Sequence, residues 1–364
     1  MIYLDHAATT PMEERAVQKM MEWMSSYHVG NPNSQHSQGV AAKHAIQEAK
    51  KSIARMINAG SPDEIHFCAS GTEANVMWKL GLDEFVTLVT TEVEHSSNFS
   101  TQSSRCSGIY KMRVDCHGRV ITDGLRKARI LSGRSVVSVI WVNNETGTVN
   151  PVEVIGQYCA DLDVSFHVDA TQAAGHIPID VQRCHIDVMT MSAHKFGGPQ
   201  GVGILYARGV DVEIPGTPNV SGIVATGVAA EIATEQLAMR RANWAKNRKY
   251  FIDILRESLG DTFWVNGGDE YSNIISLTFP GVNAEALLFW LDLDSVYVSA
   301  RAACASGKDE ASHVLTAMGL TEDEARSTIR VSMGAHTTAT TMRDAATVLI
   351  RRVKQLREED EPDV

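Results

Sequence analysis

No Cys-x-x-Cys pair occurs anywhere in the chain, although it holds six cysteines. Cys68, Cys106, Cys116, Cys159, Cys184 and Cys304 are scattered, which excludes a disulfide framework and a zinc ribbon. Five of them read as small buried or half-buried residues, and Cys304 is treated separately. Long hydrophobic runs are also missing: nowhere do about 18 apolar residues follow one another. The start, Met1-Ile2-Tyr3-Leu4-Asp5-His6, has no cationic stretch leading into an apolar one. A soluble, cytoplasmic protein is expected, with no membrane segment. Clusters of Lys and Arg are lacking too, and the net charge is −11, so no direct nucleic-acid binding is expected, although a local basic patch stays open. Internal repeats and low-complexity linkers are absent, which excludes a solenoid.

What is present is a chain of 364 residues, 44% hydrophobic, long enough for one substantial domain plus a smaller one. From about residue 40 to 240, short β-rich runs alternate with helical patterns, the mark of an α/β fold with a mostly parallel sheet covered by helices. The strand candidates are Glu64–Cys68, Phe85–Thr90, Ser135–Val142, Ser165–Val168, Val188–Ser192 and Gly203–Tyr206. Ile46, Ala49, Ile53, Met56 and Ile57 keep helical spacing, so one helix buries one stripe there. A long helix is expected from about Gly222 to Leu259. The pattern then changes to a strand (Ser272–Phe279), a helix (Ala284–Leu291), the loop around Cys304 and a strand near Ile329–Ser332, which reads as a smaller α+β domain. The charged stretch from Arg351 to Val364 reads as a helix end that frays into solvent. We expect a large domain over 15–240 and a small one made of 1–14 with 241–364.

In open α/β sheets, ligands bind beyond the carboxyl ends of the strands, so polar clusters there come first. Ser70-Gly71-Thr72 follows one strand and opens a helix, where small residues and free N–H groups suit a phosphate. Taken alone, the same loop is more simply an N-cap. Asp169 ends another apolar strand, where a carboxylate can pair with a protonated ring nitrogen or merely cap a helix. Lys195 stands in Ser192-Ala193-His194-Lys195-Phe196-Gly197-Gly198, and a lysine in such a tight loop loses its proton readily enough to form an imine. Ser192 and His194 offer further phosphate contacts. Asn144 and His95 follow two more strands, the first with an amide for a ring oxygen, the second with a ring that can lie against a planar cofactor or move protons. Cys304 lies in the small-residue loop Ala300-Arg301-Ala302-Ala303-Cys304-Ala305-Ser306-Gly307, where Arg301 would favour the thiolate, although an inert buried cysteine is the simpler reading of the loop alone. Arg330, a charge inside an apolar strand, calls for a carboxylate from the protein or from a substrate.

Together and in this order, these clusters resemble the cysteine desulfurases, fold-type I pyridoxal-phosphate enzymes of the class V aminotransferase group. The resemblance runs from Tyr3-Leu4-Asp5-His6-Ala7-Ala8-Thr9-Thr10-Pro11 and Gly30-Asn31-Pro32-Asn33-Ser34-Gln35-His36 through Arg330-Val331-Ser332-Met333-Gly334, and agreement over five motifs is specific where one would mean little. It implies a seven-stranded sheet in the large domain and pyridoxal 5'-phosphate as cofactor. Lys195 would hold the cofactor, Asp169 would pair with the pyridine nitrogen, Gln172 would contact the ring hydroxyl and His95 would stack on the ring. Gly71, Thr72, Ser192 and His194 would bind the phosphate. Asn144 and Arg330 would hold L-cysteine, with Arg330 on its carboxylate and Asn31 nearby. Cys304 matches the sulfur-accepting cysteine, on a loop of the longer, mobile class. The resemblance also implies a homodimer with shared active sites, in which Thr217 reaches the neighbouring subunit's phosphate. The sulfur would pass to an acceptor protein, for iron–sulfur cluster assembly or for tRNA or DNA thio-modification, including DNA phosphorothioation. Two departures stand out: the stretch from Ala207 to Pro215 is shorter than the Gly-, His- and Arg-rich segment usual there, and Ala300-Arg301-Ala302-Ala303 replaces the usual Ser and Gly. Selenocysteine lysis, an aminotransferase step or a low-activity scaffold form are the competing readings, because a fold does not fix a reaction.

Overall fold

Seven strands form the central sheet, in the order β2-β8-β7-β6-β5-β3-β4. The computed structural model describes residues 1–25, 28, 30–80, 86–99, 106–125, 135–210, 212, 214–268, 273–300 and 311–359. In chain order the strands are β1 (Ile2–Tyr3), β2 (Ile65–Cys68), β3 (Val86–Thr91), β4 (Cys106–Met112), β5 (Ser135–Ile140), β6 (Ser165–Asp169), β7 (Val188–Ser192), β8 (Gly203–Ala207), β9 (Trp264–Asn266), β10 (Ile274–Thr278), β11 (Val296–Tyr297) and β12 (Thr328–Ser332). From β4 to β7 the neighbours are parallel, and β8 runs antiparallel to both β7 and β2. Runs such as Ser135-Val136-Val137-Ser138-Val139-Ile140 are buried through most of their length because helices cover both faces of a parallel sheet.

Each sequence-derived strand has a counterpart within one or two residues at each end, and the strand expected from Phe85 is described from Val86. β4 was not anticipated: Cys106-Ser107-Gly108-Ile109-Tyr110-Lys111-Met112 is an edge strand that mixes polar and apolar residues and lacks the unbroken apolar signal of its neighbours. The burial expected for Cys116 is overturned. It is exposed because it stands in the tight turn from Asp115 to Gly118, between the paired residues Val114 and Val120. Cys159 and Cys184 are buried and Cys68 is half-buried.

Two long helices lie across the sheet. The first, Ser37–Ile57, starts where the His36 side chain accepts the Gly39 N–H and stops at Asn58, whose φ of 54° is the left-handed conformation of a helix end. The second, Val220–Leu259, is capped by Asn219 and ends at Gly260. It buries Ala225, Ala229, Ala230 and Ala233, small side chains that let the two helices approach closely. The remaining strands form two small sheets, antiparallel β12-β10-β9 and the parallel pair β1-β11.

One large apolar cluster packs against the central sheet, a smaller one joins Leu88, Val136 and Leu205 of that sheet to Ala74 and Trp78, and another gathers Leu4, Trp244, Phe251, Leu277, Phe279, Ile329 and Leu349 around the antiparallel sheet. Val314, Leu315, Met318 and Ala325 pack into the first cluster. Residues 4 to 9 run between the two sheets: Leu4 is fully buried in the cluster around the antiparallel one, and Asp5 bridges to Ser332 at the end of β12. Among the described residues no helix is long and apolar enough to cross a membrane.

Candidate active site

Where the parallel strands end, they leave a cavity of about 190 Å³ whose wall includes Gly71, Thr72, His95, Asn144, Asp169, Gln172, Ser192, His194, Lys195 and Arg330. These are ten of the residues singled out from the sequence, brought together from segments 259 positions apart in the chain, 71 to 330. The cavity lies beyond the carboxyl ends of β5, β6 and β7, as the strand-end rule for open sheets requires.

Asp169, the last residue of β6, is only 2% exposed. Its Oδ2 accepts from Asn75 Nδ2 at 2.9 Å and Asn98 Nδ2 at 3.3 Å, and its Oδ1 accepts the Thr171 N–H at 3.0 Å. All three donors are neutral, and among the described residues no Lys, Arg or His is paired with this carboxyl. A carboxylate taken out of water without a cation is costly, so the site is built for a cationic group supplied from outside.

Lys195 lies on the short 3-10 turn Ala193–Lys195 that follows β7, and its Nζ donates to the carbonyls of Ala7 at 2.8 Å and Ala8 at 2.7 Å. Gln172 Nε2 donates to the same Ala7 carbonyl at 2.8 Å. Beside the lysine, His194 shares a 3.1 Å hydrogen bond with the Thr9 hydroxyl through Nδ1. Burial, and secondarily the charge of Lys195, push the imidazole down to about 4, so it is neutral at physiological pH. His95 Nδ1 accepts the Ser97 N–H at 3.2 Å, which puts the proton of the neutral ring on Nε2.

Gly71 begins the helix Gly71–Leu80, which the Ser70 side chain caps by accepting the Glu73 N–H at 3.0 Å. A Cβ on Gly71 would meet Ser192 Cβ at 3.1 Å and the Met191 carbonyl at 3.5 Å, so glycine keeps a cradle open between a helix start and the end of β7. On the other side, Arg330 is 3% exposed. Its Nη2 pairs with Asp5 Oδ1 at 2.7 Å and its Nη1 donates to the Asn144 carbonyl at 2.8 Å, while Nε has no partner among the described residues. The carboxylate that the sequence asked for is therefore already supplied in part by Asp5.

Asn31 and Thr217 stand apart from this cavity. Both are exposed and touch each other, Asn31 Nδ2 to Thr217 Oγ1 at 3.4 Å, and Thr217 lines a second cavity of about 470 Å³. Arg301 and Cys304 lie outside the described residues. Sequence reasoning gave no role to Asp5, Asn75, Asn98 or the Ala7 and Ala8 carbonyls. Asp5 stood inside a quoted motif, Asn75 follows Ser70-Gly71-Thr72 by three residues, and Asn98 closes the polar run Glu94-His95-Ser96-Ser97-Asn98 after an apolar strand, which was its one signal.

A strand-end lysine, a buried carboxylate and a glycine-opened helix start on this sheet define a class, and comparison with known proteins agrees. The family model described as Aminotransferase class-V matches residues 2–215 and 213–343, and the chain belongs to that family. The two matched pieces meet at 213–215, at the end of the shortened stretch. Among curated relatives, "Putative cysteine desulfurase IscS 1" of Bacillus subtilis is 38% identical over 381 aligned residues, covering 98% of this chain and 99% of that protein. "Cysteine desulfurase IscS" of Dictyoglomus turgidum is 34% identical, covering 98% and 95%. Among solved structures, a NifS-like protein from Rickettsia africae superposes with a TM-score of 0.87 at 27% identity, covering 98% of this chain and 99% of that one. A structure titled "SspA in complex with cysteine" has a TM-score of 0.76 at 28% identity, covering 92% and 99%.

Enzymes of this family depend on pyridoxal 5'-phosphate, and so does this chain. The cavity fits that molecule part by part: an amine for its aldehyde, a buried carboxylate with no cationic partner among the described residues for its ring nitrogen, and an open helix start for its phosphate.

Proposed function

We propose that the chain is a cysteine desulfurase, which converts L-cysteine to L-alanine and leaves the sulfur on Cys304 for an acceptor protein. The observation that carries this reading is Asp169, buried on neutral donors in the same cavity as Lys195. The cofactor, when bound, supplies a sink for the electron pair left on the substrate's α-carbon. Lys195 holds the cofactor and then moves the α-proton with its Nζ. Asp169 would keep the ring nitrogen protonated, Gln172 and Asn144 would contact the ring hydroxyl, and His95 would stack on the ring. Gly71, Thr72, Ser192 and His194 hold the phosphate, with His194 as a neutral donor or acceptor. Arg330, oriented by Asp5 and the Asn144 carbonyl at the cavity wall, takes the substrate carboxylate.

Cys304 supplies the nucleophile. Its thiolate attacks the substrate sulfur, the carbon–sulfur bond breaks, and the sulfur stays as a persulfide while alanine leaves with the proton count unchanged. Its tether is short: Cys304 is five residues past Ser299, a distance of at most about 18 Å when extended. Ser299 exchanges backbone hydrogen bonds with Arg330 at the cavity wall. The relatives' names and a cysteine-bound neighbour support L-cysteine as substrate.

The same reading has the chain work as a cytoplasmic homodimer, in which Thr217 completes the partner's site. It divides the chain into a large domain, 15–240, and a small one of 1–14 with 241–364. The sulfur goes to iron–sulfur cluster assembly or to thio-modification of tRNA or DNA. The test is direct. Purified protein should absorb at about 400–430 nm and lose that band in Lys195→Ala, and L-cysteine should add one sulfur atom to wild type, but not to Cys304→Ala, by mass spectrometry. Sulfide release from Cys304→Ala at the wild-type rate would contradict the persulfide route.

A further inference from the structure

Behind Asp169 stands a second buried carboxyl, Glu94, with a single carboxamide between the two. Asn98 is fully buried on the one-turn helix Ser96–Phe99. Its Nδ2 donates to Asp169 Oδ2 at 3.3 Å and to Glu94 Oε2 at 3.2 Å, so both hydrogens of one NH₂ group are engaged. Glu94 Oε1 accepts from the Thr91 hydroxyl at 2.7 Å and the Ile140 N–H at 2.9 Å. Lys79, also buried, donates to the carbonyls of Ser97 at 3.2 Å and Asn98 at 2.8 Å, which fastens the turn that carries the amide.

The amide's orientation is set by these acceptors alone, because its own Oδ1 is buried without a partner among the described residues. Turning the group over would bring that oxygen against Asp169 Oδ2, a carboxylate oxygen with no hydrogen to give. Its chemistry also suits the position. A cation there would neutralise Asp169 and compete with a ring nitrogen, and another acid would repel it, whereas a neutral donor of two hydrogens orients the carboxylate and leaves its charge intact. Burial pushes Glu94 up to about 8, so near neutral pH it adds little negative charge beside Asp169.

We propose that Asn98 is a positioning residue of the reaction: clamped between Glu94 and Asp169, its carboxamide fixes the orientation in which Asp169 meets the cofactor's ring nitrogen. The proposal rests on Asp169 being that partner. It is tested on apo full-length protein by titrating pyridoxal 5'-phosphate into wild type, Asn98→Ala, Asn98→Ser and Asp169→Asn, reading the dissociation constant, the absorption band of the bound cofactor and the apo Tm. Removing this donor to an ionised acceptor should weaken cofactor binding roughly tenfold and displace the band. Asn98→Ser, too short to span both carboxyls, should do the same and serves if the alanine variant fails to fold. Wild-type affinity and an unmoved band in the folded Asn98 variants would overturn the proposal whatever the Tm does, because a merely structural amide moves only the Tm. If Asp169→Asn weakens binding while the Asn98 variants do not, this proposal alone fails. If Asp169→Asn itself binds as wild type, the role given to Asp169 fails and this proposal with it.

Discussion

At the scale of single residues, Gly71 and Arg330 make the clearest demands. The 3.1 Å approach that a Cβ at Gly71 would make to Ser192 lies in the cradle itself, so Gly71→Ala should weaken cofactor binding by roughly tenfold. Helix propensity favours alanine over glycine, so the apo Tm should not fall; equilibrium titration and a thermal melt check both arms. Arg330→Lys removes the fork that joins Asp5 to the Asn144 carbonyl, and an ammonium cannot span both. KM for L-cysteine should rise at least about tenfold, with a smaller change in kcat, in an alanine-formation assay. The sequence showed Lys195 and Asp169 because each stands just past an apolar strand, among small or polar neighbours. It hid Asp5 as the partner of Arg330, since the two are 325 positions apart and nothing local to either announces the pair. Asn98 was hidden for a related reason: its meaning depends on Asp169, 71 positions away on β6.

Among elements, the contact between the two long helices sets the tightest constraint. A Cβ on Gly227 would come within 2.8 Å of Ala49 Cα, which is backbone and cannot swing aside. Gly227→Ala should therefore destabilise by about 1–3 kcal/mol despite its better helix propensity, as measured by denaturant unfolding. The short helix His313–Ala317 is capped by Ser312, whose hydroxyl donates to Glu145 Oε2 at 2.5 Å and accepts the Leu315 N–H at 3.2 Å. Losing both in Ser312→Ala should cost about 1–3 kcal/mol. A melt unchanged from wild type would show that this cap carries no weight. Elements that bury a continuous apolar run or a helical stripe were legible in the sequence. The two-residue strands β1 and β11 and the three-residue β9 were not, since so few residues hold no period, and only the partner strand makes them strands.

For the molecule as a whole, pH and subunit exchange are the informative variables. Burial holds His6, His176 and His194 down at about 4. The unfolded chain binds protons at these positions first, so their contribution is complete above about pH 6.5 and is lost as pH falls toward 4. Glu94 acts in the opposite sense: raised to about 8, it favours the folded state at low pH and loses that contribution as pH rises from about 4.5 to 8. These three histidines, together with His167, which burial lowers in the same direction, outweigh one carboxyl below about pH 6.5, and the carboxyl acts alone above it. The Tm of the apo protein should therefore rise from pH 5 to about 6.5 and decline by pH 8. If sites are shared through Thr217, exchanging subunits between inactive Lys195→Ala and Thr217→Ala dimers should restore activity at one site of each mixed dimer. No recovery would place Thr217 outside the partner's chemistry.

The segment from Leu4 to Thr9 ties these scales together, because it lends carbonyls to Lys195, a carboxylate to Arg330 and backbone pairing to Ser332. During synthesis it leaves the ribosome more than three hundred residues before the strand it joins. A nascent chain can build the central sheet early, yet the wall of its working centre stays incomplete until this early segment meets a strand made more than three hundred residues later.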